Sequence, residues 1–268
     1  MRLHVGQGSA AILQSVDKEG VTHTLLFDCG SDRSHGSTVI AVLQKMEITK
    51  IDAMVLTHWD SDHISQAVAV LRKFEVGRLY SAAYEPEETR TYRTLRDEID
   101  SSGITEVHPA SGDKYTFGQC ILTFVGPTTI YKEENANSLS AVVSDGKSSI
   151  WLGGDTTTEV EEDLLAAGLI SHVDIYLVNH HGSSSSSSRD FVKALSPEYA
   201  IISCCDSETS EESYGHPTEK VLSILKEADV KLYRTDKQGD IDFSFTRGGV
   251  EFTLEPTGCW EAGELKAE

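Results

Sequence analysis

The sequence predicts an α/β fold in which two mixed β-sheets pack face to face and helices cover their outer faces. Three observations carry that prediction. Apolar runs of strand length alternate with segments of helical period through both halves of the chain. Several consecutive strand candidates lie too close together for a crossover helix, so they pair as hairpins, which a parallel doubly wound sheet does not allow. Metal-competent polar residues recur directly after the apolar runs, as expected where strand ends present functional loops. At 268 residues the chain is expected to form a single large domain over 1–268.

Taken in order, 10–14 and 22–27 read as strands, followed by a helix over 38–46. A strand over 51–56 leads into a helix over 64–74, where Ile64, Ala67, Val68 and Leu71 recur at helical spacing. A strand over 78–82, a helix over 87–101 and a strand over 121–125 follow. Segments 138–143 and 149–152 form a hairpin around Asp145-Gly146. Thr158 with Glu161 has the spacing of a capping box, opening a helix to 167. A strand over 173–178, a helix over 189–195 and a strand over 199–203 come next. Pro217 is placed in the first turn of a helix over 217–228. Strands over 231–233, 241–245 and 250–253 complete the chain. The six serines of 183–188 are expected to form a mobile polar loop whose flexibility serves substrate entry.

Composition narrows the function classes. Twenty-three basic against 43 acidic side chains give a formal charge of −20. The acidic runs, such as Glu159-Val160-Glu161-Glu162-Asp163, read as solvated faces. This balance argues against non-specific adhesion to nucleic acid or anionic lipid, yet allows a nuclease whose metals act locally. Five cysteines without a C-x-x-C pair fit a reduced, cytoplasmic setting. No apolar leader and no run of about 18 apolar residues is present, so no membrane association is expected.

Chemistry concentrates in Thr57-His58-Trp59-Asp60-Ser61-Asp62-His63, directly after the apolar run that ends at Leu56. Two imidazoles and two carboxylates within six residues are the ligand types of catalytic zinc. On a loop, unlike the one-helix face of H-E-x-x-H, they can divide between two metals. Asp155 follows the apolar run at Ile150-Trp151-Leu152-Gly153-Gly154. His180 and His181 follow the run ending at Val178-Asn179, and Asp28 follows Phe27. One edge of the sandwich is therefore expected to be lined for metal binding.

These segments resemble the metallo-β-lactamase superfamily, and within it the ComEC-like hydrolase domains of competence proteins and their soluble relatives. The resemblance is carried by His4-Val5-Gly6-Gln7-Gly8-Ser9, Phe27-Asp28-Cys29-Gly30, the His58 to His63 cluster and Asn137-Ser138-Leu139. It continues through Gly153-Gly154-Asp155, His180-His181-Gly182-Ser183, Tyr214-Gly215-His216-Pro217 and Tyr233-Arg234-Thr235-Asp236. It implies an αββα sandwich and a two-metal site. Asp62, His63 and one of the paired histidines would hold one divalent ion. His180 is preferred because it comes first after the strand, with His181 as the alternative. Asp155 would bridge to a second ion held by His58 and Asp60, and Asn137 would offer a neutral amide oxygen. Asp60 stands where the wider family has histidine. Oxygen ligands suit harder ions, so Zn²⁺ is expected at the histidine-rich position and Mn²⁺ or Mg²⁺ is accepted at His58–Asp60. Three carboxylates against two dications leave roughly +1, enough to attract a phosphodiester.

Asp62 and His216 are the candidate catalytic residues, with His216 contacting a phosphate oxygen or protonating the leaving group. Arg33 and Arg189 are further candidates for substrate phosphates. Gln7 and Asp28 are expected to orient ligands, and Cys29 to pack. Arg90, Arg93 and Arg96 share their predicted helix with several acids and read as a salt-bridged face. The expected activity is hydrolysis of phosphodiester bonds by a two-metal-activated water, as in a nuclease acting on DNA or RNA. The alternatives are a cyclic-nucleotide phosphodiesterase, or a hydrolase of a lactone or thioester. A nucleic acid or nucleotide is the expected partner, with a protein partner in a multi-component system, such as antiviral defence, as a further expectation.

Overall fold

The structure is a computed structural model that describes the backbone of residues 2–5 and all atoms of 9–30, 39–204 and 215–263. Its first half runs β1 (Arg2–Val5), β2 (Ala11–Val16), β3 (Thr22–Phe27), α1 (Val39–Lys45), β4 (Lys50–Ile51), β5 (Ala53–Leu56), α2 (Ser61–Ile64), α3 (Ala67–Lys73), β6 (Glu75–Val76), β7 (Leu79–Ser81), α4 (Arg90–Ser102) and β8 (Glu106–Val107). The second half continues with β9 (Lys114–Phe117), β10 (Cys120–Gly126), β11 (Ser140–Ser144), β12 (Ser149–Leu152), α5 (Thr158–Ala166), β13 (Ile175–Leu177), α6 (Arg189–Leu195), β14 (Tyr199–Ile202), α7 (Glu219–Glu227), β15 (Lys231–Arg234), α8 (Thr235–Gln238), β16 (Ile241–Thr246) and β17 (Gly249–Phe252).

Two large mixed sheets form, with strand orders β17-β16-β1-β2-β3-β5-β7-β8 and β15-β14-β13-β12-β11-β10-β9. Alternating residues of both, including Leu13, Leu25, Val55, Leu122, Ile150 and Phe243, meet in one buried layer between them. The opposite face of the first sheet carries Met54 and Leu56 into a core with Leu43, Val70, Leu95 and Ile99 of α1, α3 and α4. The outer face of the second packs Trp151 and Tyr176 against Leu164, Phe191 and Leu225 of α5, α6 and α7. The expected αββα sandwich is therefore what the chain forms.

Register places the site. β3 runs parallel to β5 with Phe27 opposite Val55, so Asp28 leaves the sheet beside Thr57. β12 runs parallel to β13 with Leu152 opposite Leu177, and β13 to β14 with Leu177 opposite Ile201. Asp155, His180, His181 and Ser203 consequently emerge at one edge, beyond the carboxyl ends of parallel strands, where open α/β sheets bind ligands.

Several local expectations change. The helix expected over 64–74 is two helices, α2 and α3, interrupted at Ser65 and Gln66. Pro217 does not enter the first turn of α7, because Thr218 is its N-cap. The capping box at Thr158 does not form: Thr157 is the N-cap and makes no side-chain cap bond. The serine run is not loose, since Ser186 and Ser187 are fully buried. Four strands are not among those expected: β6 and β8 have two residues each, and β1 and β9 alternate polar and apolar residues over only four, too few for the period to stand out.

Candidate metal centre

The first pole of the site forms around Asp62, His63, Asp155 and His181. One ligand atom from each lies within 4.8 Å of the others. His63 Nε2 is 3.1 Å from Asp155 Oδ1, and His181 Nε2 is 3.2 Å from Asp62 Oδ2. A second pole faces the other oxygen of Asp155. His180 Nε2 stands 3.4 Å and His58 Nε2 3.9 Å from Asp155 Oδ2, with Asp60 Oδ2 3.7 Å from His58 Nε2. Asn135 adds its amide, whose Nδ2 is 3.3 Å from His180 Nε2.

Hydrogen bonds behind the rings set their tautomers. Asp28 Oδ2 lies 2.9 Å from His63 Nδ1, and a carboxylate only accepts, so Nδ1 carries the hydrogen. Ser203 O fixes His181 Nδ1 the same way at 2.7 Å. Thr57 Oγ1 donates to Asp28 Oδ2 and is thereby left to accept from His58 Nδ1 at 3.1 Å. Three Nε2 atoms thus turn towards Asp155 free to ligate. Among the described residues the Nε2 atoms of His58 and His63 are buried without a hydrogen bond, although His63 Nε2 faces Asp155 Oδ1 as an ion pair. Buried nitrogens are rarely left so, and a divalent cation is the partner that fits both.

Electrostatics agree. Burial raises the Asp155 carboxyl, but His63 and His181 outweigh it and hold it far below the usual range. Asp62 is lowered likewise against burial, by the same two rings. His63 is raised well above a free imidazole by Asp155, Asp28 and Asp62, despite burial that opposes it. His181 is pushed up to about 9 against its burial by Asp155 and Asp62. The carboxylates therefore demand positive charge at the site, which a cation supplies with more charge per volume than two protons on imidazoles. Asp60 and Asp62 are partly open to solvent, at 41% and 44% side-chain exposure, so the site opens to solvent on their side.

The family profile described as Metallo-beta-lactamase superfamily matches residues 5–206. The chain belongs to the metallo-β-lactamase superfamily. Among curated relatives, ComE operon protein 3 of Bacillus subtilis (strain 168) is 26% identical over 273 residues, covering 95% of this chain and 34% of its own length. Competence protein ComA of Neisseria gonorrhoeae is 29% identical over 248 residues, covering 92% of this chain and 32% of its own. The chain thus spans about a third of the length of these relatives. Among solved structures, CmlA, a diiron β-hydroxylase from Streptomyces venezuelae, superposes with a TM-score of 0.58 at 13% identity, covering 87% of this chain and 52% of that one. That likeness shows a shared fold alone.

Within this superfamily frame most expected residues converge, with corrections. The histidine beside Asp62 and His63 is His181, whereas chain order had favoured His180. Both have left-handed backbones, with φ of 53° and 49°, and this turn swings the two rings to opposite sides of Asp155. Each such non-glycine residue costs roughly 1–3 kcal/mol. Asn137 is not directed at the site: its Oδ1 accepts from Tyr131 N at 2.8 Å and its Nδ2 donates to Tyr131 O and Glu133 O. Ser138 instead supports Asp155 by accepting from its N–H at 3.2 Å. Asn135, which no motif flagged, supplies the nearby amide.

His216 stands at the rim, its ring centroid 5.7 Å from His180 and 6.5 Å from His181. Burial, then the charge of His181, hold it down to about 4. Arg189 is engaged elsewhere, paired with Glu227. Arg33, Gln7 and Tyr214 lie outside the described residues. Asp28 orients His63 as expected, and buried Cys29 packs against Met54. Arg96 is salt-bridged to Asp100 and Glu106. Among the described residues no helix is long and apolar enough to cross a membrane.

Proposed function

We propose that the chain is a metal-dependent hydrolase of phosphodiester bonds, acting on nucleic acid as a nuclease. The observation that carries this reading is the division of the ligands into two poles on the two oxygens of Asp155: Asp62, His63 and His181 on one side, His58, Asp60 and His180 on the other. Paired dications held so would supply a water of lowered pKa and charge stabilisation for an in-line displacement at phosphorus. Asp28, Thr57 and Ser203 keep the rings aimed. His216, at the rim, contacts the substrate phosphate. The Asp60 carboxylate gives the second pole an oxygen in place of a third imidazole, the same donor types as the first pole has in Asp62, His63 and His181, so each would accept Mn²⁺ more readily than an all-imidazole site would.

Metal analysis of the purified protein, with cleavage of DNA, RNA and a model diester under added Mn²⁺, tests the proposal. Bound divalent metal and Mn²⁺-dependent diester cleavage, lost in Asp62→Ala, is the expected result. A wild type that binds no metal overturns it. Turnover of lactones or thioesters without diester cleavage would place the chemistry on carbonyl substrates instead.

A further inference from the structure

Glu161 is a fully buried acid that the site described above does not use. It sits on α5 and reaches under the turn that carries the two histidines. Its Oε1 accepts from Asn179 Nδ2 at 2.9 Å and Ser187 N at 2.6 Å, and its Oε2 accepts from Ser188 N at 2.7 Å. Asn179 immediately precedes the His180-His181 turn, and its Oδ1 accepts from Trp151 Nε1 at 2.9 Å. The serine run closes the frame. Ser186 Oγ donates to Asn179 O at 2.8 Å, Thr158 N donates to Ser185 O at 2.8 Å, and Ser187 Oγ meets Tyr176 OH at 2.7 Å. Ser185 Oγ then lies 3.1 Å from His180 Nδ1.

We infer that Glu161, acting through Asn179 and the serine run, is the positioning residue that holds His180 at the second pole of the metal centre. This rests on the two-pole reading proposed above. Left-handed backbone at two consecutive non-glycine residues persists only when its surroundings over-determine it. Glu161 gathers both flanks of that turn, Asn179 before it and Ser187 and Ser188 after it, onto one carboxylate. All three partners are donors, so two acceptor oxygens are required. Glutamine has one, and its NH₂ would face an N–H. His181 is fastened differently, by the Ser203 carbonyl at the end of β14. The two histidines therefore have separate supports, and loosening the Glu161 frame reaches His180 first.

The test compares wild type, Glu161→Gln and Ser185→Ala by metal content after dialysis, Mn²⁺ titration and the visible absorption of the Co²⁺-loaded protein. Wild type is expected to take up two equivalents. Glu161→Gln should retain one and lose the other, with one Co²⁺ absorption component missing. Ser185→Ala, which removes the partner of His180 Nδ1 and a hydroxyl contact with Ser183 but leaves every bond to Glu161, should weaken one equivalent by about 10–100-fold and leave the other unchanged. A merely structural acid would weaken both equivalents together or neither. If Ser185→Ala and folded Glu161→Gln bind both equivalents as wild type does, the inference is overturned while the two-pole reading stands. If wild type itself takes up fewer than two, the two-pole reading falls and this inference with it.

Discussion

Asp28 Oδ2 lies 2.9 Å from His63 Nδ1, deep behind the metal centre, and the same carboxylate accepts from the Thr57 backbone and hydroxyl. One residue at the end of β3 thereby orients His63 directly and His58 through Thr57. Asp28→Asn keeps the shape but places an NH₂ against a ring nitrogen or the threonine hydroxyl. The expected result is a loss of about 10–100-fold in metal affinity, measured by competition with a chromophoric chelator.

His181 and His180 belong to different poles, so their alanine variants should differ. His181→Ala removes the partner of Asp62 and is expected to abolish cleavage and release the ion at that pole. His180→Ala is expected to release the other, leaving one equivalent bound. Metal content of the two variants, measured side by side, checks this. Loss of the same equivalent in both would show that the poles are not separate.

Asp60→His restores an imidazole to the second pole. Zinc retention through dialysis should rise and the Mn²⁺ dependence of cleavage should fall. Unchanged metal preference would mean that Asp60 does not set the ion at that pole.

Gly154 has φ +53°, and a Cβ there would lie 2.6 Å from Thr57 Oγ1 and 2.7 Å from Thr57 Cβ. Gly154→Ala meets both an unfavourable backbone and the hydroxyl that links Asp28 to His58. A destabilisation of about 1–3 kcal/mol in urea denaturation is expected, together with weaker metal binding.

Away from the site, His23 lies 3.1 Å from Asp17 and 3.5 Å from Asp52, and the Asp17 hydrogen bond raises the imidazole above its ordinary value of 6.5. The folded state thus holds that proton more tightly than the unfolded chain. The stability it contributes is complete below pH 6.5 and is lost as pH rises through the raised value. Asp17 is lowered by the same hydrogen bond, so its share is lost as pH falls through its folded value. The Tm gap between wild type and His23→Ala should close towards alkaline pH. A constant gap from pH 5 to 9 would contradict this account.

The chain itself determined the alternation of strands and helices, the sandwich class, and most of the candidate residues that the structure brings together at one edge. Hydrophobic period and the placement of polar residues after apolar runs are local properties, readable along the chain. The serine run and Glu161 misled because their partners are remote. A polar run looks solvated and an acid three residues after Thr158 looks like a cap, but each satisfies the other inside the protein. Asn137 misled for the opposite reason: its amide is consumed by close neighbours in its own loop, Tyr131 and Glu133, and Asn135 faces His180 instead. Which histidine joins which pole was invisible in the order His180-His181, because two left-handed residues reverse what the order implies. Only tertiary structure decides such matters, since the parallel registers of β3 with β5 and of β12 with β13 bring the loops to one edge, and hydrogen bonds across them then aim each ring.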